Sequence, residues 1–273
     1  MKAHYFYILV FIFLLPFQAI ADLLVIPTRL TFEPRERTEQ VTLINTGTET
    51  RTYKLEWLEQ KQTQGIGYTI MSESSSEQFN IASPYIRFSP RRVRLAPGES
   101  QMVKLLLRRK ADMLGSEYRS HLKFTALPPE KEDKVADIGA SSGMSIKLDV
   151  LTSYAIPVVI SNSSSELDLI VSQMKFAKIN NKNYVGNLEF TLEKQIDRGA
   201  YGDMTLFFRA VGTETYVPVG YLNGVNMFHE SKKISSTIAW SEKIDIQNGE
   251  LKLVYKGVKE FKGKFEVEAK INI

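Results

Sequence analysis

The sequence predicts an all-β protein made of two β-sandwich domains. Apolar residues recur at every second position in many short segments, which is the period of a β-strand. Residues typical of turns separate these segments, and we find no amphipathic helix of more than a few turns. Many short strands at regular spacing are typical of sandwiches. A chain of 273 residues accommodates one large or two medium domains, so one large β-domain is the alternative on length alone.

The strand pattern can be followed along the chain. Each predicted strand alternates apolar and polar positions, and each is bounded by a residue group that favours a turn. The clearest strands lie at 41–44, 53–58, 103–108, 144–151 and 265–273, and the clearest turns lie at 45–47, 96–99, 223–224 and 248–249.

Two stretches that lack the two-residue alternation of a strand divide the chain. Residues 128–143 are first charged and then small, which predicts a long mobile loop between two strands. The serine-rich stretch 161–165 directly follows an apolar run and is typical of a hinge. We therefore expect one domain at about 22–158 and a second at about 162–273.

The first residues, 1–21, have the pattern of a secretory signal peptide. Lys2 supplies the positive start, residues 5–17 are almost entirely apolar, and Ala-Ile-Ala at 19–21 matches a cleavage site. The apolar run is short for a membrane span, although an uncleaved anchor is the alternative. We expect export to the periplasm, cleavage after Ala21, and a soluble mature chain without further membrane insertion.

The composition excludes several classes of function. The absence of cysteine excludes disulfide scaffolds, iron–sulfur clusters, cysteine-based zinc sites and thiol nucleophiles. Lys and Arg total 35 against 31 Asp and Glu, and the formal net charge of +4 becomes +3 once Lys2 is removed. This excess is too small to predict a nucleic-acid partner.

Residues that could perform catalysis are sparse. The sequence lacks H-E-x-x-H, a phosphate loop and G-x-G-x-x-G, and no Ser sits in a G-x-S-x-G elbow, because the one match, at 139–143, lies in the predicted loop. His121 sits in an alternating run and His229 in a predicted loop, so both are interpreted as surface or packing residues. Asp197 and Asp203 flank a turn, whose chemistry accounts for them. The sequence therefore predicts that the protein is not an enzyme and has no catalytic residue, metal site or cofactor.

Several segments, taken in order, resemble one protein family. They are LLVIPTRLTF at 23–32, VTLIN at 41–45, YKLEW at 53–57, RFSPR at 87–91, LAPGESQ at 95–101, GSEYRSHL at 115–122, LPP at 127–129 and DRGAYGD at 197–203. With these segments the exported chain resembles the periplasmic pilus (fimbrial) assembly chaperones of the chaperone–usher pathway, and most closely the archaic branch. The resemblance covers essentially all of the first domain and is weaker in the second.

The resemblance implies a fold and a set of partners. The fold would be two immunoglobulin-like β-sandwich domains in a boomerang arrangement around a cleft, with Trp57 as the buried tryptophan of a C strand or, alternatively, on the surface. The partners would be pilus subunits that lack their last strand, and an outer-membrane usher. The chaperone fills the subunit's gap with its own strand, which is β-strand addition to an open edge, without a cofactor, ATP or a metal.

The donor strand is expected at about 144–156, before the hinge. Met144, Ile146, Leu148 and Val150 share one face of it and would enter the subunit's groove. The alternative is that this face packs inside the chain's own sandwich, because a period of two fixes which residues face together but not which way they face.

The family's best-known branch holds the subunit's C-terminal carboxylate with two basic cleft residues, and this chain departs from both. The corresponding positions here are Pro27 and about Thr152. Because a carboxylate still requires charge-assisted donors, we rank Arg119 first as the candidate anchor, then Arg29, then Arg87. The alternative for each is a solvated or structurally paired arginine.

Two further residues are carried over from the family as a candidate structural pair in the cleft. Glu117 corresponds to an acidic residue that helps to steady the two domains, and Lys104 corresponds to its basic partner. The partner in the second domain is not identifiable. The loop at 128–143 would contact the subunit or the usher, or would be disordered.

Two other classes of protein compete with this interpretation. A pilus subunit or adhesin usually has one domain and a donor extension before its first strand, whereas this chain enters a strand almost at once, at Leu23. A carbohydrate-binding periplasmic β-sandwich would need polar and aromatic residues around a cleft. The candidates Tyr201, Tyr216, Tyr221 and Trp240 are scattered in the sequence.

Overall fold

The computed structural model describes residues 22–72, 79–128, 151–162, 167–179, 184–240 and 248–273. The expected signal peptide, most of the loop at 128–143, and all four donor-strand residues, Met144, Ile146, Leu148 and Val150, lie outside these residues. Within the described residues the regular structure consists of β-strands and two short 3₁₀ turns, which confirms the predicted all-β class. No helix in this part of the chain is long and apolar enough to cross a membrane.

The first unit is a sandwich of two β-sheets. Its elements are β1 (Leu23–Ile26), β2 (Leu30–Phe32), β3 (Thr38–Asn45), β4 (Arg51–Leu58), β5 (Gln60–Gln62), β6 (Tyr68–Ile70), a 3₁₀ turn (Ser83–Tyr85), β7 (Ile86–Ser89), β8 (Arg92–Leu95), β9 (Ser100–Leu107), β10 (Glu117–Ala126) and β11 (Ser153–Ser161). The two sheets have the strand orders β1-β3-β9-β7 and β2-β11-β10-β4-β8, which match the A-B-E-D and C-F-G orders of an immunoglobulin-like domain. Neighbouring strands are antiparallel except β2 and β11, which are parallel, and a small hairpin, β5–β6, follows β4.

The second unit is another sandwich of the same kind. Its elements are β12 (Leu169–Lys178), β13 (Gly186–Lys194), β14 (Ala200–Ala210), β15 (Val217–Met227), β16 (Lys233–Trp240), β17 (Gly249–Gly257), a 3₁₀ turn (Lys259–Phe261) and β18 (Glu266–Asn272). The two sheets have the strand orders β12-β13-β16 and β15-β14-β17-β18, so β14 and β17, the C and F strands, are adjacent as in the first unit.

The apolar positions of the alternating strands form the core of each sandwich. In the first, Val41 and Leu43 of β3 and Val103 and Leu105 of β9 are buried, and Val41 lies directly opposite Val103. The second sandwich has its own separate cluster, which includes Trp240. Each sheet therefore buries one face against its partner sheet, as two-layer β-domains require.

Two local expectations differ from the structure. Trp57 is only partly buried, with its ring 5.4 Å from that of Phe88, and the fully buried tryptophan is Trp240 of β16. Residues 223–224 form no turn between strands but a bulge within β15, where Gly224 has φ 70°. β11 continues through Ser161, and the domain boundaries at about 158 and 162 stay predictions.

Adjacent leucines in β9 test the core directly. Leu105 is 1% exposed and Leu106 is 43% exposed, so Leu105→Ala should lower the free energy of unfolding by about 2–5 kcal/mol and Leu106→Ala by less than about 1 kcal/mol. Urea unfolding followed by Trp57 fluorescence, in a Trp240→Phe background, measures the first sandwich alone. Equal losses for the two variants would contradict this strand register.

Candidate functional site

The outer face of β10 carries the residues on which the site is built. Successive side chains of a strand point to opposite faces. Leu122 and Phe124 enter the core of the first sandwich, so Glu117, Arg119 and His121 point away from it. All three are nevertheless buried, because the second sandwich covers this end of the sheet. The site is therefore the interface between the two domains.

Arg119 is paired across this interface. Its Nη2 forms an ion pair with Glu230 Oε1 and also donates to the Gln60 carbonyl at 2.9 Å. The two charged side chains are 3% and 8% exposed. Since a buried charge without its partner is strongly destabilising, each of these residues requires the other.

Arg29, in the turn before β2, makes a second such pair. Its Nε lies 2.5 Å from Glu260 Oε1, and its Nη1 donates to Asn226 Oδ1 at 2.8 Å. Thr31 Oγ1 donates to the same Glu260 oxygen at 2.7 Å. Burial alone would raise the pKa of Glu260, but Arg29 and Thr31 outweigh burial and lower it, so this carboxylate stays ionised.

An aromatic side chain of the second sandwich lies against both arginines. The ring centroid of Phe228 is 4.0 Å from the Arg119 guanidinium carbon and 5.6 Å from that of Arg29. A guanidinium is weakly hydrated and stacks well on an aromatic face. The ring of Phe228 therefore packs against the guanidinium groups of both buried arginines.

Glu117 also reaches across the interface. Its Oε2 accepts a hydrogen bond from the Gly199 N–H at 2.9 Å, and its Oε1 lies 3.7 Å from His229 Nδ1, which is 3.5 Å from Glu230 Oε2. Burial raises the pKa of Glu117, but His229 and Arg29 lower it by more. A side chain at Gly199 would place its Cβ 2.7 Å from Glu117 Oε1, so glycine fits here.

The described residues contain no group of His, Asp and Glu side chains that could hold a metal ion. His229 Nδ1 lies between the carboxylates of Glu117 and Glu230, within 4 Å of an oxygen of each.

The β5–β6 hairpin of the first sandwich reaches over to the second. Gln62 Nε2 donates to the Asn226 carbonyl at 2.7 Å, and Gln62 Oε1 accepts from the Phe228 N–H at 3.0 Å. The Ser235 N–H donates to the Gln64 carbonyl at 2.7 Å. One glutamine side chain thus satisfies two backbone groups of the partner domain, which holds the segment that carries Phe228 in place.

His121 sits beside Arg119 in this interface. Burial, Arg119 and Arg29 lower the pKa of His121 from 6.5 to about 3, so the ring is neutral at physiological pH. Arg119 Nη1 lies 3.2 Å from the His121 ring nitrogens, and only a neutral imidazole can accept from this donor. His121 is a packing residue, in agreement with its interpretation from sequence.

The structure brings together two of the three predicted anchors, Arg119 and Arg29. Each is paired with a carboxylate of the second sandwich, while Arg119 Nε and Arg29 Nη2 are buried without a hydrogen-bond partner among the described residues. Anchoring of a subunit by either arginine stays a prediction. Arg87 lies elsewhere, exposed on β7 at the edge of the other sheet.

The expected pairing of Lys104 with Glu117 is wrong. Lys104 is exposed on β9 of the other sheet, where its neighbours across the ladder are Gln40 and Ser89. Glu117 instead contacts Gly199 and His229, which supplies the second-domain partner that the sequence left unidentified.

The described end of the predicted donor strand lies at a sheet edge. Ser153–Ser161 of β11 pairs with β10 along its length, but on its other side β2 pairs only with Val158, Val159 and Ile160. Among the described residues, no strand pairs with the preceding part of this edge, where Tyr154 is 39% exposed.

Sequence reasoning missed Gln62, Phe228, Glu230 and Glu260. Glu230 is 111 residues from its partner Arg119, and Glu260 is 231 residues from Arg29. No local pattern marks such pairs. The one available signal is that Arg119 and Glu117 fall on the same face of a strand whose other face is mainly apolar.

The chain is similar in fold to solved chaperone structures. It resembles the YadV chaperone at 11% identity over 93% of this chain and 100% of that chain, with a TM-score of 0.46. It resembles the Pseudomonas aeruginosa CupB2 chaperone at 8% sequence identity over 92% of this chain and 100% of that chain, with a TM-score of 0.45. A third similar structure is the CsuC–CsuE chaperone–tip adhesion subunit pre-assembly complex from the archaic chaperone–usher Csu pili of Acinetobacter baumannii. The sequence identity is 18% over 91% of this chain and 98% of that chain, with a TM-score of 0.43.

A scan against protein-family models and a search of curated proteins each give no match.

The buried ion pair can be tested against an exposed one. Glu230→Gln leaves Arg119 buried without a counter-charge and should cost about 3 kcal/mol of unfolding free energy. Glu266→Gln removes the partner of Lys256 from an exposed pair at 2.7 Å and should cost less than about 1 kcal/mol. Urea denaturation of both variants measures the difference, and similar small losses would contradict a structural role for Glu230.

The neutral histidine predicts a pH dependence. In the unfolded chain His121 takes up a proton near pH 6.5, but in the folded protein only near pH 3, so between these values the unfolded state binds more protons. Stability should therefore fall with falling pH, by up to about 1.4 kcal/mol per pH unit for this one group. His121→Asn should flatten the slope between pH 6 and 5 in urea unfolding.

Other groups do not obscure this comparison. The lowered pKa values of Glu117 and Glu260 remove stability only below about pH 4.5. Burial raises the pKa of Glu59, which acts in the opposite direction and equally in both proteins. An identical slope for the wild type and His121→Asn would contradict a buried neutral ring.

Proposed function

We propose that this chain is a periplasmic chaperone that binds pilus subunits by donor-strand complementation and delivers them to an outer-membrane usher. The observation that carries the proposal is the position of β11. It forms the last strand of the first sandwich, and its edge is paired with β2 only over Val158–Ile160. The preceding part is a strand edge to which a subunit's strand could add.

The donor segment leads directly into this edge. Ile146, Leu148 and Val150 are our proposed donor residues, with Met144 on the same face, and the strand that they begin would continue into β11. An incomplete subunit exposes a groove and unpaired edges, which promote aggregation. A donated strand would satisfy its backbone groups while alternate side chains fill the groove.

The two-domain interface supports the same function. Buried ion pairs through Arg119 and Arg29 hold the second sandwich against one end of the sheet that contains β11. The rest of that sheet and the β11 edge stay accessible in the described residues. A subunit bound there would meet a preformed surface, which lowers the entropic cost of binding.

Release at the usher would follow by exchange. The next subunit's N-terminal extension would replace the donor strand, so the step exchanges one set of strand contacts for another. The free energy for assembly would then come from the better fit of the incoming strand, and the chaperone itself would remain chemically unchanged.

Co-purification tests the proposal. The protein, tagged at Ile273, is expressed in the periplasm together with the exported proteins that the neighbouring genes encode. The proteins that co-purify with it are then identified. We expect equimolar capture of a small single-domain subunit, because the donor strand completes its sandwich. Leu148→Arg should abolish capture while the protein still folds.

A matched substitution controls for the added charge. Leu106→Arg introduces the same change at an exposed position of the other sheet and should leave capture unchanged. A folded wild-type protein that captures no subunit from any candidate would contradict the proposal and favour a carbohydrate-binding or structural role. Unfolding of Leu148→Arg would instead place that face inside the chain's own sandwich.

A further inference from the structure

The sheet that meets the second sandwich has a second, exposed part on the same outer face. β10 continues past His121 with Lys123 and Thr125 on this face. Lys123 lies opposite Glu56 of β4, and Thr125 lies opposite Lys54. Paired residues in an antiparallel ladder point to the same side, so these side chains extend the outer face away from the interface.

The edge strand of this sheet adds two arginines. Arg92 of β8 lies opposite Lys54, and Arg94 lies opposite Thr52. Val93 and Leu95, between and after them, are buried, so both arginines project from the outer face, where they are exposed. β8 is the last strand of the sheet.

The charges on this face do not balance. Glu56 is held by Lys54 at 2.7 Å and by Lys123 at 2.6 Å, and hydrogen bonds from these two lysines lower its pKa. In the described part of the chain, neither Arg92 nor Arg94 has an ion-pair partner. Four cations and one carboxylate leave an excess of three positive charges.

One pair on this face works against stability. Like charges directly opposite each other on neighbouring strands are destabilising, and Arg92 stands opposite Lys54. Charged residues on an edge strand can simply prevent edge-to-edge aggregation. That explanation requires charge of either sign, whereas among the described residues the unpaired charge on this face is all positive.

We propose that Lys54, Arg92, Arg94 and Lys123 form a cationic specificity surface that recognises an acidic face of the bound subunit. The inference rests on the proposed chaperone function and adds the chemistry of the partner. The surface lies on the same side of the sheet as the Arg119 interface, and the β11 edge belongs to that sheet. β10 and β4 lie between β11 and β8, so a subunit on the β11 edge would have to extend over the outer face of these two strands to bring an acidic surface against the four residues.

A defined probe tests this surface without a subunit. An octapeptide of alternating threonine and glutamate is titrated at low salt into the isotope-labelled protein purified from the periplasm, and amide chemical shifts are followed. We expect shifts confined to 52–56, 92–95 and 123–125. The corresponding threonine–lysine peptide should produce none, and 0.5 M salt should remove the effect because exposed charges are screened.

Charge reversal separates recognition from protection of the edge. Arg92→Glu with Arg94→Glu keeps the edge charged but should weaken binding of the acidic peptide about fivefold or more. Lys175→Glu with Lys178→Glu makes the same change in net charge on an exposed edge strand of the second sandwich. This control should weaken binding by less than about twofold, as expected for distant screened charges.

Several outcomes would overturn the inference. These are amide chemical-shift changes spread over both sandwiches, an equal loss of affinity for the acidic peptide in the two double variants, or no chemical-shift change at all. Flotation with phosphatidylglycerol vesicles that requires Arg92 and Arg94, without any response to the peptide, would assign the face to a membrane surface instead.

Different results contradict the cationic surface and the proposed chaperone function. Failure to capture any subunit contradicts the chaperone function whatever the peptide does. If the wild type captures a subunit and Arg92→Glu with Arg94→Glu captures it equally well, the chaperone function stands and the cationic surface has no part in recognition.

Discussion

The ion pair between Arg119 and Glu230 constrains the rest of the molecule. Both charges are removed from water, and a buried charge is tolerated only beside its partner. Arg119 is fixed in the middle of a hydrogen-bonded sheet, so the segment that carries Glu230 has to approach that sheet at one place. The pair of Arg29 with Glu260 and the hydrogen bonds of Gln62 add further points of contact. The relative position of the two sandwiches is therefore set by groups that have no good alternative partner.

This constraint divides one sheet into two parts with different roles. The part of β10 that begins at Glu117 is covered by the second sandwich and is occupied by paired charges. The part that begins at Lys123 is exposed and continues to Lys54 and the arginines of β8. The β11 edge belongs to the same sheet. A single face thus provides the contact that fixes the domains and the surface at which a partner is proposed to bind.

The sequence predicted what depends on local periodicity. The alternation in β3, β9 and β10 identified strands and buried faces, because period two is a direct consequence of strand geometry. Arg119, which the sequence ranked first among the candidate anchors, lies at the domain interface, because the start of β10 pairs with the end of β11. These inferences needed only the order of the strands along the chain.

Long-range placement could not be read in the same way. Lys104 and Glu117 share no sheet, and no sequence pattern reports which sheet a strand joins. The bulge at Gly224 resembles a turn in sequence, because both require a positive φ. Glu230 and Glu260 are ordinary loop carboxylates until the domains meet. The fully buried tryptophan proved to be Trp240 rather than Trp57, since the extent of burial depends on what packs above a strand.

The central claim is that buried ion pairs hold the two sandwiches in one orientation. The natural sequence has no cysteine, so Lys104→Cys with Lys175→Cys places one spin label on an exposed strand of each sandwich. Electron–electron distance measurements should give a single narrow distribution, which broadens when Arg119→Met removes the buried charge. A broad distribution in the protein that retains Arg119, or one that Arg119→Met leaves unchanged, would contradict the account.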